Sequence, residues 1–374
     1  MLGIYVHLPF CPYICPYCDF AKWPHRETQA DRYLTALHAE IDAEACRPAQ
    51  TVFLGGGTPN MYGSAQIVQL LARLSTRFPG PAERETTIEV NPEIVRKNDL
   101  QAYKAAGVTR LSIGVQSFIP SEIRTLGRRH TVEDVQRVVG QARQARIESL
   151  SLDLIFAVPG QTAASWRRSL EAAIGCGVDH IAAYGLTIEP GTPYAAWRDR
   201  DPDAFADDVL EAELYGTAIE MLERAGFAQY EISNFARGGH RCRHNENYWE
   251  NGQYIGLGVG AASYRDGVRS VHTRNFEEYV TASVTGGRIP SECEQLESLR
   301  RAGEAVMLAL RTSQGVSFTK FKESYGLDFL THYAPIVRRY QEEGLLTTDG
   351  THARLTRRGR FFANDVCADF VTLA

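Results

Sequence analysis

The sequence predicts an α/β protein, a partial TIM-like barrel of six β/α units, (β/α)6, followed by a small C-terminal α+β domain of winged-helix-like form. Two observations predict the barrel. Short β-branched runs alternate with amphipathic segments over the first two thirds of the chain, and glycine or polar motifs directly follow those runs. A third observation predicts the second domain, because helical patterns near the C-terminus precede an Asp349-Gly350 pair typical of a β-hairpin.

The six predicted barrel strands are apolar, as expected for parallel strands that helices cover. They occupy residues 3–8, 51–54, 86–90, 110–115, 149–155 and 180–186. Between two of them, the spacing of Ile67, Leu70, Leu71 and Leu74 is typical of a helix with one buried face. Six units are too few for a closed eight-stranded barrel, so we expect an open one whose functional loops follow the C-terminal ends of the strands.

The pattern changes after a predicted helix over 207–224. We expect an edge strand over 230–235, a polar segment over 240–250, and β structure over 254–264 and 268–273. The chain is predicted to be helical from about residue 291, with helices over 299–310, 318–325 and 333–343. The predicted organisation is a barrel over 1–230, a connecting β segment over 231–290 and a C-terminal domain over 291–374.

Composition narrows the class of protein. Hydrophobic residues make up 44% of the chain and charged residues 23%, which is ordinary for a globular protein. The formal charge of −5 gives no general attraction to nucleic acid, and no apolar run is long enough to span a bilayer. Because the N-terminal segment lacks the pattern of a signal peptide, we expect a cytoplasmic protein.

Three of the eight cysteines, Cys11, Cys15 and Cys18, stand close together directly after the first predicted strand. Clustered thiols in a reducing compartment more often bind metal than form disulfides. Thiolates are the usual ligands of iron–sulfur clusters, and three of them leave one iron of a four-iron cluster open to another ligand. The alternative is a structural zinc site, for which His7 and His25 are the nearest fourth ligands.

Glycine and polar residues follow the next predicted strands. Gly55, Gly56 and Gly57 let the backbone approach a ligand without interference from a side chain. Glu89 and Gln116 end the third and fourth strands. The carboxyl ends of parallel strands meet at one edge of the barrel, so these residues are expected to share a site with the cysteines.

The C-x3-C-x2-C spacing resembles the signature of the radical S-adenosylmethionine (SAM) superfamily, in which the open iron binds SAM and an electron cleaves its sulfonium to a deoxyadenosyl radical. Nearly the whole chain resembles the oxygen-independent coproporphyrinogen III oxidase-like proteins of that superfamily. The resemblance implies a radical SAM barrel with a [4Fe–4S] cluster on the three cysteines. It also implies SAM contacts at Tyr5, Tyr17, Gly56, Gly57, Thr58, Glu89, Gln116, Arg128 and Asp153.

Two features separate the branches of this family. The oxidase branch carries a further cysteine where this chain has Phe20, which disfavours coproporphyrinogen decarboxylation. Residues 244–249 read H-N-E-N-Y-W and match the H-N-x-x-Y-W motif of the haem chaperone branch. The resemblance then implies haem binding through His244 and transfer to an acceptor haem protein, such as one of respiration. Arg241 and Arg243 are candidates for contacts with the propionates.

Alternatives remain open at this point. One is an oxygen-independent coproporphyrinogen III dehydrogenase on the same barrel, so the sequence leaves open whether the protein is an enzyme. Another is a nucleic-acid-binding regulator, although we do not expect the protein to bind nucleic acid. That regulator would use a basic group in the C-terminal domain, namely Arg338, Arg339, Arg354, Arg357, Arg358 and Arg360. A homodimer and a transient contact with a membrane protein are also compatible with the sequence.

Overall fold

The computed structural model describes residues 1–372, and its main sheet has twelve strands. Six parallel strands form the centre of this sheet, each within two residues of a predicted run, which confirms the predicted α/β class. They are β1 (Leu2–Leu8), β2 (Thr51–Gly56), β3 (Glu85–Val90), β4 (Arg110–Gln116), β5 (Ser149–Phe156) and β6 (His180–Gly185).

Helices cover the outer face of these strands. They are α1 (Glu27–Ala43), α2 (Ser64–Arg77), α3 (Asp99–Ala105), α4 (Pro120–Thr125), α5 (Val132–Gln144), α6 (Ala163–Gly175), α7 (Pro193–Arg200) and α8 (Asp208–Arg224). Thr131 and Thr162 begin α5 and α6 by accepting a backbone N–H of the first turn. In β1 the alternation of a strand is visible, because Ile4 and Val6 are fully buried in the core whereas Tyr5 faces the inside of the barrel.

The sheet continues beyond β1 and β6. At one edge, the antiparallel strands β7 (Ala228–Gln229) and β8 (Asn234–Ala236) follow β6, where one edge strand over 230–235 was expected. At the other edge, β9 (Gln253–Leu257) pairs in parallel with β1, and β10 (Ala262–Arg265), β11 (Val268–His272) and β12 (Ser291–Gln295) follow it in antiparallel order. The expectation of helix from residue 291 is therefore wrong for β12, because these residues pair with β11.

The polar segment over 240–250 contains the short helix α9 (Arg243–Trp249). Its first two backbone N–H groups donate to the Glu85 carboxylate, at 3.1 Å from Arg243 and 2.9 Å from His244. Glu85 begins β3, so α9 lies under the N-terminal ends of the barrel strands and closes that end. We refer to this end as the floor and to the opposite end, where the cysteine loop lies, as the mouth.

The C-terminal region has its own core, which includes Phe329, Tyr333 and Phe370. After α10 (Phe276–Thr285), which packs on α1, its helices are α11 (Ser298–Leu310), α12 (Phe318–Tyr325), α13 (Phe329–His332), α14 (Ala334–Glu342) and α15 (Ala363–Thr372). Its small antiparallel sheet comprises β13 (Val316–Ser317), β14 (Leu346–Thr348) and β15 (His352–Leu355). The predicted division into three segments stays a prediction, and residues 373 and 374 lie outside the described part.

Three of the six arginines of the basic group pair with carboxylates, and two more donate to neutral oxygens. Arg339 pairs with Glu343 and Asp369, and Arg354 pairs with Asp349. Arg357 pairs with Glu223, while the guanidinium groups of Arg358 and Arg360 donate to a backbone carbonyl and a glutamine oxygen. Between residues 1 and 372 no helix combines the length and the apolar character that crossing a membrane requires.

Candidate cofactor site in the barrel

A cavity of about 790 Å³ lies inside the barrel and reaches from the mouth to the floor. The three cysteines, the predicted SAM contacts and His244 all line it, although the strands that carry them are far apart in the chain. These residues are Tyr5, Cys11, Cys15, Tyr17, Cys18, Gly56, Gly57, Thr58, Glu89, Gln116, Arg128, Asp153 and His244. These residues therefore form one site, but the role of each residue in it stays a prediction. The two predicted propionate contacts do not line it, because Arg241 pairs with Glu246 and Arg243 donates to the carbonyl of Glu83.

The cysteine loop is held at the mouth by its own backbone. Phe10–Cys11 pairs in parallel with Trp23–Pro24, and the Cys18 N–H donates to the Cys15 carbonyl at 3.3 Å. Burial raises the pKa of the Cys11 thiol to about 11, although the hydroxyl of Thr58 opposes the shift. In the described part of the chain no three metal-ligating side chains converge on one centre, so the three thiols share the cavity without meeting at a point.

The glycine loop after β2 lies directly against the cysteine loop. A Cβ on Gly57 would stand 2.6 Å from the carbonyl carbon of Pro9, which leaves no room for a side chain. Gly56 has a φ of +110°, and a Cβ there would lie 2.5 Å from the ring of His7. The Thr58 N–H donates to the carbonyl of Phe10 at 3.0 Å. The glycines therefore allow two loops to meet at the mouth.

Two carboxyl groups face the cavity from neighbouring strand ends. Glu89 accepts the Gly56 N–H at 3.2 Å, and Asp153 accepts the Ser112 hydroxyl at 2.9 and 3.0 Å. Burial, reinforced by the charge of Asp153, raises the pKa of Glu89 to about 8. Burial also raises the pKa of Asp153 to about 6, despite the opposing hydrogen bond from Ser112. Such a pair favours a ligand that carries positive charge, because a cation would stabilise both ionised carboxylates.

Arg128 supplies the complementary charge. Its Nη2 donates to the side chain of Asn91 and to the carbonyl of Gly114, both at 2.7 Å. Its Nε is buried and finds no hydrogen-bond partner among residues 1–372. Nearby, Gln116 adopts a φ of +63° where the register of β4 shifts, a strained backbone that is often found at functional sites. A guanidinium with spare donor capacity suits a ligand carboxylate.

Two tyrosines complete the predicted cofactor set. Tyr5 donates its hydroxyl to Nδ1 of His7 at 3.0 Å and stacks on Phe53 with ring centres 6.2 Å apart. Tyr17 follows the second cysteine and lies 6.2 Å from the ring of Tyr194. Burial raises the pKa of both Tyr5 and Tyr17, so both phenols stay neutral and offer apolar surface to the cavity.

His244 lies at the floor, at the opposite end of the barrel from the cysteines. Its Nδ1 hydrogen bonds to Thr51 and its Nε2 to Tyr248, each at 2.8 Å, and its ring stacks on Phe53. Burial lowers the pKa of His244 to about 3, so the imidazole is neutral. Trp249, the last residue of the motif, lines a separate cavity of about 230 Å³ beside the C-terminal region. The motif therefore borders two cavities.

Several polar residues of the cavity wall were missed by sequence reasoning. His180 begins the sixth predicted strand, and its Nδ1 hydrogen bonds to Ser151 and its Nε2 to Tyr230, both at 2.8 Å. Arg110 donates to Ser149 at 2.8 Å and is also buried. A signal was present, because His180 and Arg110 begin predicted strands at positions where an apolar core residue would be expected.

The comparisons with known proteins agree with this geometry. The pattern of the radical SAM superfamily matches residues 5–173, and that of the HemN C-terminal domain matches residues 296–362. The fold and the cysteine loop thus belong to a radical SAM protein. Heme chaperone HemW of Bacillus subtilis is 33% identical over 376 residues, which cover 99% of each chain. HemW of Escherichia coli K12 is 31% identical over 99% of this chain and 98% of its own. The chain belongs to the HemW family.

One solved structure shares the fold over the whole chain. Coproporphyrinogen III oxidase (HemN) from Escherichia coli, described as a radical SAM enzyme, superposes with a TM-score of 0.88 and 24% identity. The match covers all of this chain and 90% of the other. It confirms the architecture, including the C-terminal domain.

The radical SAM family implies a [4Fe–4S] cluster and SAM, and the residues present fit both groups. Three thiols from one loop line the cavity, as a cluster with one open iron requires. Glu89 and Asp153 face the cavity with raised pKa values, which suits the cationic groups of SAM, and Arg128 retains an unpaired donor. The assignment of the cluster to Cys11, Cys15 and Cys18 stays a prediction.

Proposed function

We propose that this protein is a haem chaperone that binds haem and passes it to an acceptor haem protein. The observation that carries the proposal is the likeness to proteins named heme chaperones over 99% of both chains. The proposed acceptor is a haem protein of respiration. The chaperone would contact it in the cytoplasm or transiently at a membrane. We propose that the cluster and SAM control haem transfer or the oligomeric state and do not catalyse turnover.

The roles of the cavity residues follow from their charges. When bound, the cluster supplies an electron to SAM. Glu89 and Asp153 would hold the cationic and hydroxyl groups of SAM, and Arg128 would hold its carboxylate. Because the pKa of Glu89 is raised to about 8, this carboxyl holds a proton at neutral pH, and it would release that proton when a cation arrives.

His244 stays the predicted axial ligand of haem. A neutral imidazole has the lone pair that iron requires, but both ring nitrogens are already hydrogen bonded. Binding of iron to Nε2 would require Tyr248 to move away. We expect His244→Ala to lower haem occupancy and to leave the iron–sulfur absorbance intact. Unchanged haem binding would remove this residue from the haem site without contradicting the function.

The function itself is tested by transfer. Anaerobically reconstituted protein is loaded with haem and mixed with an apo-form of a respiratory haem protein, and the spectrum of the acceptor is followed. We expect loss of haem from the donor and gain of haem by the acceptor, faster than with free haem. A donor that binds no haem, or that retains it, would contradict the proposal.

The enzymatic alternative needs a separate measurement. The protein has Phe20 where the oxidase branch carries its further cysteine. The reconstituted protein is incubated without oxygen with coproporphyrinogen III, SAM and a reductant. We expect no protoporphyrinogen, and its formation would establish a coproporphyrinogen dehydrogenase instead.

A further inference from the structure

Large apolar side chains are exposed at the mouth of the barrel. Phe20 is 65% exposed and Ile14 41%, and both lie on the cysteine loop. Tyr184, at the C-terminal end of β6, also lines this cavity, but its hydroxyl is enclosed there and hydrogen bonds to Asn234. A cluster of exposed apolar side chains beside a cavity marks a binding surface, because water contacts with these groups are unfavourable.

Phe20 is presented by an anchored backbone. Nζ of Lys22 donates to the carbonyl of Phe20 at 3.3 Å, and Nε2 of His7 donates to the carbonyl of Ala21 at 2.6 Å. The Trp23 N–H donates to the carbonyl of Pro9 at 3.0 Å. These bonds fix the chain on the C-terminal side of Phe20. An exposed aromatic ring on a fixed backbone loses little entropy when a ligand binds it.

A cation stands beside this apolar surface. The side chain of Arg274 is 65% exposed and lies 3.7 Å from Asp19, its one acidic neighbour within 4 Å among residues 1–372. Arg274 lines both the barrel cavity and an adjoining groove of about 380 Å³, whose walls include Trp23 and Phe276. A flat apolar ligand that carries carboxylates is complementary to this combination of rings and a guanidinium.

We propose that haem is received at the mouth, on a surface that we call the rim and define as Ile14, Phe20 and Arg274. The porphyrin face packs on Phe20, and a propionate pairs with Arg274. The inference rests on the proposed function and adds the place where haem first binds. His244 is 1% exposed at the opposite end, so an arriving ligand meets the rim before it meets that histidine.

The test compares matched variants of the full chain with its cluster reconstituted. Phe20→Ser removes the exposed ring of the rim, and Phe362→Ser removes a ring that is 43% exposed in the C-terminal region. Arg274→Glu reverses the rim charge, and Arg338→Glu reverses an exposed charge on α14. Haem is titrated into each variant, with the Soret absorbance as the signal, and cluster absorbance is recorded as a control for folding.

We expect the Kd for haem to rise about tenfold in Phe20→Ser. Burial of an aromatic side chain contributes a binding free energy that corresponds to a tenfold change in Kd or more. We expect the Kd for haem to rise about threefold in Arg274→Glu, because an exposed ion pair contributes less binding free energy than a buried aromatic ring. Neither matched control changes the Kd. Wild-type affinity in Phe20→Ser would overturn the rim and leave the proposed function standing.

Two other outcomes also contradict the inference. If Phe20→Ser binds haem normally but no longer delivers it, the ring contacts the acceptor protein instead of haem. If light scattering shows a haem-free dimer that Phe20→Ser abolishes, the rim is an interface between two copies of the chain. Wild-type protein that binds no haem would overturn the proposed function and the inference with it.

Discussion

The two ends of the barrel differ in how their polar groups are satisfied. At the floor, both ring nitrogens of His244 and of His180 have protein partners, and Glu85 accepts two N–H groups of α9. At the mouth, Arg128 has an unpaired Nε and Glu89 faces the cavity with a raised pKa. An end where most buried polar groups are paired stabilises the fold, whereas an end with unpaired groups that face a cavity is available to ligands.

The largest expected effect tests whether the mouth holds the cluster. We expect replacement of Cys11, Cys15 and Cys18 together by serine to abolish acid-labile sulfide and cluster absorbance, because these are the three thiols on the loop. Circular dichroism should remain that of the wild type, since β1 and its pairing do not depend on the thiols. Cys46→Ser, at an exposed cysteine, is the control and should retain the cluster. A cluster that survives the triple change would refute the assignment.

A smaller effect comes from the raised pKa of Glu89 at the mouth. The unfolded carboxyl ionises near pH 4.5, whereas the folded one ionises near pH 8 because it is buried. Between these values the folded state binds more protons, so the free energy of unfolding falls as the pH rises, by about 5 kcal/mol in total. Urea unfolding of the ligand-free protein across this pH range measures the slope.

Glu89→Gln should make that pH profile flatter, with a remaining slope from Asp153, whose pKa is also raised by burial. Glu171→Gln, at an exposed glutamate of α6, is the matched control and should keep the wild-type slope. If the free energy of unfolding had the same pH dependence in wild type and Glu89→Gln, the Glu89 carboxyl would be ionised in the folded protein. That result would contradict the raised pKa of Glu89 at the mouth.

The smallest expected effect concerns the floor. Tyr248→Phe removes the partner of His244 Nε2, and we expect a loss of about 1 kcal/mol in the free energy of unfolding, with cluster absorbance unchanged. Tyr103→Phe is the matched control, because the buried hydroxyl of Tyr103 has no hydrogen-bond partner in the described part of the chain. That control should be neutral or stabilising. Loss of the cluster in Tyr248→Phe would show that floor and mouth are not independent.

The barrel strands were predictable because each is a short run in which apolar or β-branched residues predominate, as in the Thr86-Thr87-Ile88 segment of β3. Helix α9 was not, since its residues show no apolar stripe and its first N–H groups are satisfied by Glu85, more than 150 positions earlier in the chain. Only the folded chain brings these groups together. The same holds for β12, whose polar and charged residues gave no strand pattern but pair with β11 at the edge of the sheet.

The site was predictable where chemistry is concentrated in a short motif. The cysteine spacing and the glycine run identified the mouth, and the strand-end rule placed Glu89 and Asp153 in the same cavity. The position of His244 was not predictable in this way, because a motif indicates a residue type and not the end of the barrel where it lies. Asn91, which holds Arg128, was overlooked because a single asparagine in a loop carries no pattern.

The pairing of β1 with β9 has a consequence for synthesis of the protein. Strand β1 is made first, yet one of its two edges stays uncovered until residues 253–257 have been added. A truncated chain that stops at residue 230 would leave that edge free and would also lack α9. Unpaired strand edges promote aggregation, so the N-terminal portion should be insoluble when it is expressed alone, even though it carries all three clustered cysteines.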